Sequence, residues 1–139
     1  EFHLEGMIIG LGNDICDSKR IGKTIERFGH RFLERIFSEN ERASCDKRLR
    51  RSECYSRRFA AKEALSKALG TGFRKGVFWR DMSVVSLSGG KPTIVLTGGA
   101  LSRLHSMVPD GFQPQIDLSL SDDGCFACAI VIISAVAKQ

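Results

Sequence analysis

An α+β domain, with a largely antiparallel sheet packed on a long central helix, is the fold class that three observations predict. Helical periodicities gather between Ile21 and Leu69, whereas period-two and continuous apolar runs dominate the second half of the chain. A hairpin spelling, Gly89-Gly90-Lys91, joins two of those runs. No internal repeat, low-complexity tract or linker divides the 139 residues, a length that a single core serves. Residues 1–6, Glu-Phe-His-Leu-Glu-Gly, read as a leader ahead of a natural start at Met7, which leaves one domain over 7–139.

The first element is a short buried strand, Met7 to Ile15, in which Gly10 and Gly12 permit close backbone approach; Asp14 sits at or just past its end. Ile21, Ile25, Phe28 and Phe32 then recur at helical spacing, with Asp17 or Ser18 as N-cap and Gly29 as a break. Ser38-x-x-Glu41 spells a capping box and opens a charged helix expected to run to about Arg50. The central helix follows, from Arg51 or Ser52 to Leu69, its apolar stripe made by Ala61, Ala64, Leu65, Ala68 and Leu69 and its end marked by Gly70. Two short strands flank the glycine hairpin. A short helix over Ala100 to Met107 comes next, then an alternating strand through Gln115-Ile-Asp-Leu-Ser-Leu-Ser121, a turn at Asp122-Asp123-Gly124, and a long buried strand from Cys125.

The composition is that of an ordinary folded protein, 42% hydrophobic and 27% charged. The run Cys125 to Ala137 is too short to span a bilayer, and no signal sequence is evident, so a cytoplasmic location and no membrane partner are expected. Five cysteines leave one unpaired under any connectivity, and all are read as reduced, inert thiols. The net charge of +5 is concentrated at Lys47 to Arg51, Arg57-Arg58 and Arg74-Lys75. Such clusters attract acidic proteins or phosphorylated ligands without choosing among them.

On the central helix, Glu63 and Lys67 point away from the apolar stripe, Phe59 and Ser66 lie beside them, and Lys62 is on the flank. An i,i+4 ion pair is the plain reading of Glu63 and Lys67. Phe59 on the same non-core side argues for a ligand wall instead. Asp14 taken alone is a turn or cap residue. If it meets Glu63 in the fold, the two carboxylates supply hard oxygen ligands suited to Mg²⁺ held together with water and phosphate. Lys62, Lys67 and the turn Gly70-Thr71-Gly72 would then face the remaining phosphate charge.

The segments Ile8 to Ile21, Arg57 to Phe73, Ser88 to Leu96 and Asp117 to Asp123, in this order, resemble the holo-[acyl-carrier-protein] synthases, the short-chain 4′-phosphopantetheinyl transferases. The most specific of them is Phe59-Ala-Ala-Lys-Glu-Ala-Leu-Ser-Lys67 with its Gly-Thr-Gly end. The resemblance implies transfer of the phosphopantetheine arm of coenzyme A to a serine of apo-acyl carrier protein. It places metal ligands at Asp14 and Glu63, catalytic assistance at Lys67 and Lys62, and coenzyme contacts at Arg58, Phe59, Lys62, Lys67, Gly70, Thr71, Gly72 and Pro92. Arg20 would grip the acidic carrier. A homotrimer with coenzyme sites between neighbouring subunits is implied, and the general base stays open between Glu63 and a water.

One position departs from the family pattern: Asp122 stands where a histidine is usual. Three readings are open there: a harmless exchange balanced by Arg74 or Lys75, an added acidic group near the metal, or a weakened enzyme. A small basic RNA-binding domain is the reading from another class, disfavoured by the single Trp and single Tyr, which leave no stacking platform for bases.

Overall fold

A computed structural model describes residues 6–139. In order, the elements are β1 (Gly6–Asp17), α1 (Ser18–Phe28), α2 (His30–Ile36), α3 (Glu39–Asp46), α4 (Arg51–Ala68), a 3-10 turn at Trp79–Asp81, β2 (Met82–Ser86), β3 (Pro92–Leu96), α5 (Gly98–Ser106), β4 (Phe112–Asp123) and β5 (Phe126–Ala137). The α+β expectation holds. β5 is the centre of a three-stranded antiparallel sheet in the order β1-β5-β4, and β2 with β3 forms the separate hairpin expected around Gly89-Gly90. The leader expected at 1–6 lies outside the described residues except for Gly6, which already pairs with Val136.

Local chemistry sets the helix boundaries. Asp17 caps α1, its carboxylate accepting the Lys19 amide at 2.9 Å, and Gly29 at φ 57° divides α1 from α2. The Ser38–Glu41 capping box is formed, but α3 ends at Asp46 rather than Arg50, so Lys47 to Arg50 make an exposed turn instead of a helix face. α4 closes one residue before the expected Leu69, which becomes its C-cap, and Gly70 takes φ 78° just beyond.

α4 lies across β1 and β5, with the β2–β3 ribbon against α3, α4 and β4. Ala64 and Leu65 of α4 and its C-cap Leu69 share one core cluster with Val131 and Ile133 of β5. β1 is longer than predicted and only half covered. Its Gly10, Gly12, Asp14 and Cys16 face α4, whereas Ile8, Leu11 and Ile15 are exposed by 67%, 65% and 63%. Asp14 is therefore inside a strand, opposite Ala129, and not in a loop at its end.

The cysteines depart from expectation. Cys45 at the end of α3 and Cys54 in the first turns of α4 are joined as a disulfide, because the short turn between the helices brings their Cα atoms to 5.5 Å. Cys16, Cys125 and Cys128 are free, and only Cys16 is fully buried. Among the described residues, no helix is long and apolar enough to cross a membrane.

Candidate active site

Two glycines bring the site together. A Cβ at Gly12 would stand 1.9 Å from the Ala64 carbonyl oxygen, and one at Gly10 would stand 2.4 Å from that of Ala68. Only bare backbone lets α4 approach β1 this closely. At that separation Asp14 and Glu63 line one cavity of about 350 Å³ together with Lys67, Arg20 and Phe59. The condition set for the two carboxylates, that they meet in the fold, is satisfied to the extent that both line this cavity.

Lys67 reaches from α4 to β1, its Nζ donating to the Asn13 carbonyl at 2.9 Å and to Asp14 Oδ1 at 3.1 Å. It thus pairs with Asp14 and not in the i,i+4 manner with Glu63. Glu63 sits half-buried beside this pair. Burial chiefly, and then the Asp14 charge, push its carboxyl above the ordinary glutamate range, with Lys67 opposing. Two crowded carboxylates, one of which ionises reluctantly, form a donor set that a hard divalent cation satisfies. Among the described residues no group of three or more His, Cys, Asp or Glu could hold a metal, so an ion held by Asp14 and Glu63 would need water or phosphate oxygens to complete its shell.

Phe59 forms one wall, stacked on Trp79 at 5.0 Å between ring centroids, and Trp79 in turn stacks on Phe73 at 3.8 Å. Trp79 is half-buried at the approach to β2. Thr24 and Phe32 add a further wall from α1 and α2. Phe32 stood in the sequence only as part of a helical apolar stripe and Thr24 was not singled out, although Ile21, Thr24 and Phe28 already had the helical spacing that a cleft-facing stripe requires. Cys16 also lines the cavity, its thiol pushed up to about 11 mainly by burial.

Lys62 is the principal correction. Expected beside the phosphates, its side chain is instead 0% exposed, with Nζ donating to the Ile36 carbonyl at 2.7 Å and to Glu41 Oε1 at 2.5 Å. Burial lowers the affinity of this ammonium for its proton, and the Glu41 charge opposes that effect. Arg58 turns toward α3, donating to Ser44 Oγ at 3.2 Å and approaching Cys54 Sγ at 2.9 Å. Gly70, Thr71 and Gly72 follow α4, and Pro92 opens β3; none of these four lines the cavity within one chain. Asp122 is balanced, but by Arg57 at 2.9 Å rather than by Arg74 or Lys75.

The profile of the 4′-phosphopantetheinyl transferase superfamily matches residues 10–121. The holo-[acyl-carrier-protein] synthase of Xanthobacter autotrophicus is 60% identical over 132 residues, covering 95% of this chain and 98% of that protein. Among solved structures, the holo-[acyl-carrier-protein] synthase of Neisseria meningitidis superposes with a TM-score of 0.79 at 34% identity, covering 91% of this chain and 98% of the other. The Helicobacter pylori synthase in complex with coenzyme A gives 0.74 at 32% identity, covering 88% and 98%. With a profile match that spans β1 to β4 and includes both carboxylates, this chain belongs to the 4′-phosphopantetheinyl transferase superfamily.

Proposed function

We propose that this protein transfers the 4′-phosphopantetheine arm of coenzyme A to a serine of apo-acyl carrier protein in an Mg²⁺-dependent reaction, releasing adenosine 3′,5′-bisphosphate. The observation that carries the proposal is the convergence of Asp14, Glu63 and Lys67 in one cavity, on a chain that is 60% identical to a holo-[acyl-carrier-protein] synthase. Asp14 and Glu63 would hold Mg²⁺. When bound, the ion supplies Lewis-acid neutralisation of the pyrophosphate oxygens. Lys67, already bridging α4 and β1, adds positive charge where phosphoryl charge develops as the serine attacks. Phe59 excludes water from one side.

The carrier approaches over α1 and α2. A second cleft, of about 440 Å³, is lined by Thr24, Phe28, Arg31, Phe32 and Arg35. Thr24 and Phe32 line both clefts, so the basic groove is continuous with the carboxylate site. Arg20 lines the carboxylate cavity, and Phe28 in the second cleft is 54% exposed as an apolar contact. This is a surface that steers an acidic partner and then buries part of it.

Coenzyme A takes its remaining contacts from Arg58, Gly70, Thr71, Gly72 and Pro92 in a homotrimer whose sites lie between subunits. The open apolar face of β1 and β5, with Ile8, Leu11, Ile15 and Ile130 all exposed, supports such an assembly. The test is to incubate the protein with coenzyme A, Mg²⁺ and apo-acyl carrier protein and to read the carrier's intact mass. A gain of one phosphopantetheine arm, abolished by chelator, is expected. An unchanged carrier mass in the presence of Mg²⁺ overturns the reading.

A further inference from the structure

We infer that Lys62 and Glu41 form a positioning pair that sets the rotation of α4, so that Glu63 faces Asp14; the inference rests on the transferase reading of the site. The pair is sealed, both side chains being 0% exposed. Glu41 is fully engaged: Oε1 accepts from Lys62 Nζ at 2.5 Å and from the Ser38 amide at 2.8 Å, and Oε2 accepts the Val84 amide at 2.8 Å. Lys62 adds the Ile36 carbonyl at 2.7 Å and lies 5.3 Å from the Phe37 ring centroid. One ammonium and one carboxylate therefore join the end of α2, the start of α3, strand β2 and the middle of α4.

Stability does not account for such a pair. Desolvating two charges cancels most of their attraction, and well-packed apolar residues of the same volume serve a core equally well or better. What the pair adds is direction. Apolar packing tolerates a helix turning or sliding by a fraction of a residue, whereas an ammonium aimed at two fixed oxygens does not. Glu63 follows Lys62 by one residue, about 100° around the helix axis. Gly10 and Gly12 set how near α4 lies to β1, and Lys62 sets which way its polar side points. Lys62 thus acts through Glu63 without touching the coenzyme.

Lys62→Met alone strands a buried carboxylate and risks unfolding, so the informative variant is the double substitution Glu41→Gln with Lys62→Met, which removes both charges and keeps an acceptor at position 41. Its fold is checked by circular dichroism. Carrier modification is then measured against coenzyme A concentration, and Mn²⁺ binding is titrated by electron paramagnetic resonance with coenzyme A present. The expected result is a kcat lower by about 10–100-fold and a Mn²⁺ affinity weakened by about tenfold, the range found when residues supporting a metal ligand are removed. The coenzyme KM should stay within about threefold, because no phosphate contact is lost. A KM raised more than about tenfold at unchanged kcat overturns the inference and returns Lys62 to the phosphates. Wild-type values of kcat and Mn²⁺ affinity overturn it too, leaving the pair a purely structural role. Failure of the wild-type protein itself to modify the carrier counts against the transferase reading; in that event the Mn²⁺ comparison still decides, equal affinities refuting the positioning role.

Discussion

Replacing Gly12 with alanine would put a methyl group 1.9 Å from the Ala64 carbonyl oxygen and 2.8 Å from the Ala68 amide nitrogen, both backbone atoms of α4 that cannot rotate away. Relieving the first contact to an ordinary 3.4 Å requires α4 and β1 to separate by about 1.5 Å, the difference between the two distances. Overpacking of this kind costs about 1–3 kcal/mol, which for a domain of this size lowers the melting temperature by several degrees. The effect on function should be larger. The same displacement carries Glu63 and Lys67 away from Asp14, and a misplacement of about 1 Å costs a catalytic constellation on the order of 100-fold. Gly111→Ala is the matched comparison, since nothing lies within 4 Å of its Cβ and only its φ of 85° is strained. Thermal melting and the initial rate of carrier modification should then separate the two variants. Both lose some stability, and only Gly12→Ala loses turnover by about 100-fold or more. A Gly12→Ala protein with wild-type turnover would refute the claim that bare backbone contact sets the distance between the carboxylates.

The remaining predictions concern charge and thiols. Because burial and Asp14 raise the Glu63 carboxyl's affinity for its proton, the carboxyl favours the folded state at pH below the ordinary glutamate range and that contribution is lost as pH rises through the raised value. Metal-free Glu63→Gln is therefore expected to melt above wild type at pH 7, with the gap closing toward pH ~4, while carrier modification is lost. A variant that melts below wild type at pH 7 contradicts this sign. Under native, non-reducing conditions at pH ~8, an alkylating reagent should label Cys125 and Cys128 and spare Cys16, whose thiol is buried and pushed up to about 11, as well as the Cys45–Cys54 disulfide. Peptide mass mapping reads the result, and rapid labelling of Cys16 or Cys54 overturns it.

Local signals proved legible wherever local physics decides. The cap at Asp17, the Ser38–Glu41 box, the glycine end of α4 and the hairpin at Gly89-Gly90 each depend on a few neighbouring residues, and each appears as expected. The meeting of Asp14 with Glu63 was a condition in the residue pattern and an implication of the resemblance, and the glycines opposite α4 supply its physical cause. What escaped was tertiary. The helical stripe places Lys62 on a flank, and nothing in a one-dimensional pattern says that α3 and β2 cover that flank and present Glu41 to it. In the same way Cys45 and Cys54 meet only because α3 ends four residues early, and Arg57 reaches Asp122 only once α4 and the end of β4 are neighbours. A long-range ion pair leaves no periodicity to detect.

Strand β1 is shared between two tasks by simple alternation. Asp14 lines the carboxylate cavity, and the next residue, Ile15, reaches the rim of the same cavity while staying 63% exposed beside Leu11 and Ile130. A body pressed against the outer side is thus a single peptide unit away from the chemistry. If the proposed assembly covers that side, losing it would loosen the backbone from which Asp14 hangs, and the readiness of the carboxylates would fall with it.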